Sequence, residues 1–298
     1  MKGKKRTPLF DDLDKKQHIG GLKTSKELNK LYELECYFID KCREYNMFWS
    51  YDLTGNEPYN FKTINYATYA GFFIMHPLQP EITMKQMYDA RIDNIENFNY
   101  VSYIKKKIYN DNANKYLVKK ENQNKRFEAI VVLPGENKIK ESICIDKCAE
   151  IIKTHGKNVV FKVHPLTNKE TIENLCEIIK LPWDQISGPD GDLYSILRSC
   201  NYVYSTHLSE SALYAAVLNK KLSPIDVYCN RILASFTHIN YFLYGEIDNL
   251  KWINKTFSSY KSGILDPNIH SDWKQRMDSY FEYIINIRKH VKNFFIQE

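Results

Sequence analysis

Two short stretches carry the residue types best suited to chemistry. The first is Phe161-Lys162-Val163-His164-Pro165; the second, about forty residues on, is Tyr204-Ser205-Thr206-His207-Leu208-Ser209-Glu210. Each closes a run of apolar residues that reads as a buried strand. Polar groups at the carboxyl end of such a strand stand where open α/β sheets bind ligands. Pro165 biases His164 towards extended backbone and holds the imidazole clear of any helix. A histidine so placed donates to a phosphate oxygen. Lys162, two residues earlier, points to the same side and adds a cation, the neutralisation that a departing nucleotide needs. In the second stretch a strand gives way to a helix within a few residues. Free amides and the helix dipole then favour an anion, and Ser205, Thr206 and Ser209 add hydroxyl donors. Glu210 falls in the first turn, as capping prefers. His207 faces either the site or solvent.

A third stretch, Pro134-Gly135-Glu136-Asn137, follows an earlier apolar run. Gly135 permits close approach of backbone to a ligand, and Glu136 suits ribose hydroxyls or a helix cap. Neither G-x-G-x-x-G nor G-x-x-x-x-G-K-[ST] occurs, which removes the dinucleotide and P-loop readings. Deprotonating a hydroxyl acceptor requires a base. Asp52 and Glu57, in the polar loop that follows a short strand near Met47–Tyr51, are the candidates. Asp190-Gly191-Asp192 reads as a turn with Asp192 starting a helix.

The elements that must position these residues follow from periodicity. Residues 1–26 form a basic tail; Glu27–Tyr45 is an amphipathic helix; 63–75 is an apolar, Tyr-rich segment ending at His76-Pro77; and Thr83–Tyr109 is mostly helical. The polar run 110–126 is the best linker. Beyond it strands are expected at 129–133, 158–163, 185–187, 202–205 and 222–227, the last broken by Pro224 and so at an edge. Helices are expected between them at 138–154, 167–180, 192–199 and 208–218. This alternation predicts a parallel sheet covered on both faces. Residues 229–265 read as irregular, and 268–292 as a long amphipathic helix. The domain reading is therefore a tail (1–26), an acceptor-side domain (27–120), a nucleotide-binding domain (127–265) and a C-terminal helix (266–298) that packs back on the first domain.

The chain of 298 residues is 43% hydrophobic and 26% charged, the balance of a globular protein. It holds no apolar run of about 18 residues, so no transmembrane helix is expected, and a cytoplasmic location fits. The basic start permits peripheral contact with an anionic membrane surface. Seven cysteines without a C-x-x-C pair read as buried apolar residues in a reducing compartment. The net charge of +6 suits nucleic acid, anionic lipid or a phosphorylated substrate.

Lys162-Val163-His164-Pro165 resembles the K-x-H-P motif of bacterial GT-B glycosyltransferases, the sialyltransferases, polysialyltransferases and related capsule-polysaccharide transferases. Ser205-Thr206, ahead of Ser209-Glu210-Ser211-Ala212-Leu213, is similar to their serine/threonine motif. The match covers about residues 128–226. It implies a GT-B-like α/β fold of two Rossmann-like halves, the first shortened. His164 would contact the donor phosphate, Pro165 would hold it in place, and Ser205 and Thr206 would bind phosphate from the next loop. Catalysis would be inverting and metal-independent, without a cofactor beyond the nucleotide-sugar co-substrate, and the base would come from the first domain. The family's acidic D/E-D/E-G motif has only a loose echo in Asp52-Leu53-Thr54-Gly55. Three readings stand: transfer of a CMP- or UDP-linked sugar to a glycan; transfer to a modified base in DNA; and nucleotide binding without catalysis. The oligomeric state is not legible.

Overall fold

The structure, a computed structural model, describes residues 25–51, 62–93, 98–109, 126–135, 143–165, 167–188, 191–226, 237–245 and 248–295. Two sheets contribute to a shared core that helices complete. The first is built from β1 (Phe48–Tyr51), β2 (Thr63–Tyr69), β3 (Phe72–Pro77) and β9 (Ile264–Leu265), in that order. The second is built from β4 (Ala129–Val132), β5 (Val159–Lys162), β6 (Ile186–Ser187), β7 (Tyr202–Ser205) and β8 (Lys221–Pro224), in the order β6-β5-β4-β7-β8 with every pairing parallel. The expected α/β class with a parallel, helix-covered sheet is present, and β8, carrying Pro224, is an edge strand.

The second sheet starts in its middle, at β4, steps outwards through β5 and β6, and then returns to the other side through β7 and β8. Its connections are the helices α4 (Ile145–His155), α5 (Lys169–Ile179), α6 (Leu193–Ser199) and α7 (Ser211–Val217). Asn168 and Asp192 cap α5 and α6 by accepting the amides of Thr171 and Ser195. Asp192 thus has the structural role that the turn reading gave it. The β4 strand, AIVV, is buried on both faces. Ala129 and Val131 pack with Val159, Phe161 and α4–α5, while Ile130 and Val132 pack with Val160 and Val203 towards the first sheet.

The first half departs from a Rossmann-like half. β1 and β2 are parallel, but β2 and β3 form an antiparallel hairpin and β9 joins antiparallel. Ala70 and Gly71 make the two-residue turn with φ of 52° and 85°, the left-handed pair that matches strand twist. That turn splits what periodicity presents as one apolar segment. One face of this sheet (Phe73, Met75, Tyr66) packs with α1 (Ser25–Glu44) and the C-terminal α10 (Trp273–Phe295) through Phe38, Met277, Tyr280 and Phe281. The other (Ala67, Tyr69, Phe72, Ile74) shares a core with the parallel sheet. Burying each large side chain there contributes roughly 1.5–3 kcal/mol. Gly263, at φ 69°, lies so close to Met75 that a Cβ would come within 2.2 Å of its carbonyl oxygen.

Other boundaries also moved. The helical reading of 83–109 resolves into α2 (Pro80–Ile92), started by Pro80, and α3 (Tyr100–Tyr109). Of the helix expected at 138–154, the described part is Ile145–His155, and the Cys144 amide just before it donates to the Ile225 carbonyl beyond β8. The helix expected from 208 starts at Ser211. The segment expected to be irregular, 229–265, contains α8 (Thr237–Gly245), α9 (Asn249–Ser258) and β9. α8 and α9 lie against both halves, and their apolar residues Ile239, Phe242, Trp252 and Phe257 need the assembled core to face inwards. Cys42, Cys148, Cys176 and Cys200 are buried and unbridged, and Cys36 and Cys144 are free. No helix among the described residues is long and apolar enough to cross a membrane.

Burial holds several histidines neutral. His76 is brought down to about 4, against the pull of the Pro77 carbonyl. His270 is also brought down to about 4, first by burial and then by Arg276. The Nδ1 of His270 accepts the Asp266 amide, so protonation breaks a structural bond. Because the folded values lie below the unfolded value of about 6.5, stability is complete above pH 6.5 and is lost as pH falls towards 4. Each of the two should cost on the order of 2 kcal/mol by pH 5. Urea midpoints measured at pH 7.5 and pH 5 should fall accordingly; a flat profile would contradict neutral burial.

Candidate functional site

At the carboxyl edge of the parallel sheet, the chain leaves β4 at Leu133-Pro134-Gly135, β5 at Val163-His164-Pro165, β7 at Thr206-His207 and β8 at Ile225-Asp226. The strand order reverses between β4 and β7, which makes their carboxyl ends the crevice of a doubly wound sheet. Lys162, Val132 and Ser205 lie in one row of the register. The two motifs are not on neighbouring strands. β4 runs between them, so β5 and β7 lie about 10 Å apart across the sheet.

His164 is half-buried, and its carbonyl accepts the Thr167 amide in a tight turn through Pro165. Gly135 is likewise half-buried, after the buried Pro134. Lys162 behaves differently from the cation that the sequence suggests. Its side chain is buried, and Nζ donates to the carbonyls of Val163 (2.7 Å) and Gly188 (2.8 Å). It ties the loop after β5 to the loop after β6, and so positions the backbone that carries His164.

The β7 turn holds an anion of the chain's own. The carboxylate of Asp226, at the end of β8, accepts the His207 amide (3.0 and 3.1 Å) and the His207 Nδ1–H (2.8 Å). Two donors on one buried carboxylate make a charge-assisted clamp between the two strand ends. Two further amides of the turn are engaged: Ser209 N donates to the Thr206 carbonyl, and Ser211 N to the Ser209 hydroxyl. The Ser209 and Ser211 hydroxyls are 2.6 Å apart. Glu210 immediately precedes α7, half-buried. The turn that the sequence presents as a phosphate cradle is therefore largely satisfied from within.

α8 covers this turn. The Tyr244 hydroxyl lies 2.6 Å from the Ser205 hydroxyl and donates to the Ser205 carbonyl (2.8 Å), and its ring meets the His207 ring edge-on. The Asn240 amide donates to the carbonyls of His207 and Ser209, both at 2.8 Å, and Tyr69 of β2 donates to the Asn240 carbonyl. Burial pushes the Tyr244 and Tyr69 phenols up, so both remain donors. Thr206 is fully buried, and its hydroxyl meets no partner among the described residues. Asp52, Glu57 and Glu136 lie outside the described residues.

Sequence reasoning missed Asp226, Asn240 and Tyr244, which come from segments read as an edge strand and an irregular region. It noted His76-Pro77 only as the end of an apolar segment, although this repeats the His-Pro dipeptide at a second strand end. No protein-family model matches the chain, and neither curated proteins nor solved structures give a match.

Removing the carboxylate tests the clamp. Asp226→Ala leaves a buried amide and an imidazole N–H without an acceptor, at a cost of roughly 2–4 kcal/mol. Asp226→Asn keeps one acceptor oxygen and should cost less than half as much, measured by urea unfolding. Equal losses for the two variants would contradict the assignment.

Proposed function

We propose that the protein is a glycosyltransferase that moves a sugar from a CMP- or UDP-activated donor to a glycan acceptor, in a GT-B-like arrangement whose first half is reduced to a mixed four-stranded sheet. The observation that carries this reading is the doubly wound strand order β6-β5-β4-β7-β8, with His164 and Gly135 at the carboxyl ends beside the reversal point. Nucleotides bind at that place in such sheets, because loop amides converge there and backbone can approach the phosphates. The resemblance of Lys162-Val163-His164-Pro165 to the K-x-H-P motif supports the same assignment.

In this reading the phosphate of the donor lies over Pro134-Gly135 and takes a hydrogen bond from His164. Asp226 repels a second anion at the β7 turn, which directs the phosphate to the His164 side. Lys162 acts through the backbone, by holding the Val163 carbonyl and with it the orientation of His164. Ser205 and Thr206 shape the floor of the crevice under α8. An acceptor hydroxyl attacks the anomeric carbon, and the bond between that carbon and the phosphate oxygen breaks with its electron pair leaving on the phosphate. A hydrogen bond from His164 lowers the cost of that developing charge.

The test is a screen of CMP-, UDP- and GDP-sugars by thermal shift and by release of free nucleotide. At least one nucleotide should raise the melting temperature; a ligand at 100 times its Kd stabilises by about 2.7 kcal/mol. His164→Ala should weaken that nucleotide at least tenfold without lowering the melting temperature of the free protein. If no nucleotide stabilises the chain, the reading fails. Stabilisation without release of any sugar would support nucleotide binding without transfer.

A further inference from the structure

The helix that covers the crevice also carries an exposed aromatic surface. α8 has the sequence THINYFLYG. It turns Asn240 and Tyr244 towards the β7 turn and buries Ile239, Phe242 and Leu243 in the core. Tyr241 belongs to neither set. At about 100° per residue it falls about 60° around the helix axis from Tyr244, on the strip between the crevice face and the face that meets α2. Tyr241 is 39% exposed, whereas Tyr244 is half-buried against the Ser205 hydroxyl and the His207 ring. The strip therefore adjoins the carboxyl edge of the parallel sheet and is open to solvent.

Tyr241 is not a lone exposed ring. It meets Phe242 edge-on with centroids 5.5 Å apart, and Phe242 meets Tyr88 of α2 edge-on at 5.0 Å. Tyr88 is 49% exposed. The two tyrosines are thus at most about 10.5 Å apart, a span that a short oligosaccharide covers, and the buried Phe242 joins them. Trp252 backs Phe242 from within the core, its ring stacked at 5.7 Å. Single exposed apolar side chains are normal on a protein surface, but a contiguous exposed patch marks a binding surface. Charge does not dominate this one. α8 holds no acidic or basic residue other than His238, which burial keeps neutral. Of the α2 cations within a turn of Tyr88, Lys85 pairs with Asp89 at 2.9 Å and Arg91 is half-buried. A tyrosine offers a flat apolar ring with a hydroxyl at its tip. A neutral sugar offers the matching surface, with C–H groups on the faces of its ring and hydroxyls around the rim.

We propose that Tyr241 and Tyr88 form a stacking platform for the acceptor, and that the acceptor is a neutral oligosaccharide of several sugars rather than a single sugar. The inference rests on the glycosyltransferase reading for the reaction at the end of that chain. The reacting end enters at the carboxyl edge beside Tyr244, and the sugars behind it lie across the outer strip of α8 and stack on the two rings. The platform stands away from the reacting atoms, so its contacts are the same before and during transfer. Such uniform binding acts on acceptor affinity and leaves the chemical step unchanged. Phe242, backed by Trp252, is a positioning residue that keeps both tyrosines in place.

Two measurements test the platform separately from nucleotide binding. In the first, the wild-type chain and the double variant Tyr88→Ala, Tyr241→Ala are applied, without nucleotide, to an array of immobilised neutral and acidic oligosaccharides and their single sugars. The wild type should hold at least one neutral oligosaccharide in preference to its single sugar, and the double variant should lose that signal at least tenfold. No binding, binding confined to acidic glycans, or equal binding by the variant overturns the platform. If the double variant does not fold, NMR of the bound oligosaccharide on the wild-type chain decides the same point: stacking on a ring moves sugar proton signals upfield, and unmoved signals overturn it. Sedimentation of both proteins identifies the rival occupant, since a wild-type dimer that the variant dissociates makes this surface a contact between copies and overturns the proposal. In the second, transfer is measured with the stabilising donor. The variant should raise KM for the oligosaccharide at least tenfold with kcat within twofold; a fall in kcat at unchanged KM overturns the role. A donor screen in which nothing binds removes the transfer reading and the acceptor role with it, while the array still decides whether the rings bind a glycan. Failure on the array leaves donor binding intact.

Discussion

The structure depends on one constraint: two sheets of different kind must cover the same apolar layer. Ala67, Tyr69, Phe72 and Ile74 from the mixed sheet and Ile130, Val132, Val160 and Val203 from the parallel sheet are all buried in one continuous core. Helices α3, α7, α8 and α9 complete that core between them. Any polar group carried into such a layer must be paired or neutral, because unpaired charge there is far more costly than any single contact is stabilising. The polar networks at the carboxyl edge and within the first sheet follow from how the chain meets this demand.

At the carboxyl edge, the demand is met by a network that crosses from one sheet to the other. Tyr69 of β2 holds Asn240 of α8, Asn240 holds the carbonyls of the β7 turn, and Asp226 holds the amide and imidazole of His207. The network fixes the turn in place from both sheets. It also divides the crevice electrostatically. The side near β8 already holds a carboxylate, whereas the side near β5 offers a histidine on a loop anchored by a buried lysine. Lys162 and Asp226 thus act through backbone geometry as much as through charge.

Within the first sheet the same demand takes another form. Ser50, Asn65 and His76 are brought together by strand register alone, from three segments that are each ordinary in isolation. Desolvation keeps His76 and His238 unprotonated, so two imidazoles whose ring centroids are 4.8 Å apart coexist without repulsion.

Much of the parallel sheet was legible in the sequence. Strands such as Tyr202–Ser205 and Val159–Lys162 are short, apolar on both faces and closed by turn or helix-capping residues, so local pattern alone determines where they begin and end. The class of the fold and the strand-end position of His164 follow from that pattern. Strand order, by contrast, is decided by long-range packing. β4 separates β5 from β7 because the sheet grows from its centre, and no local signal records that. The hairpin at Ala70-Gly71 was equally hidden, since the apolar run continues through it. Residues 237–265 looked irregular because their aromatics face a core supplied by distant segments. The bonds of His207 to Asp226, Lys162 to Gly188 and His76 to Asn65 were likewise set by tertiary structure, because they join residues of different strands or loops. The sequence by itself determined which residues stand at strand ends; the packing of the two sheets decided which partners they meet there, because those partners come from segments far apart in the chain.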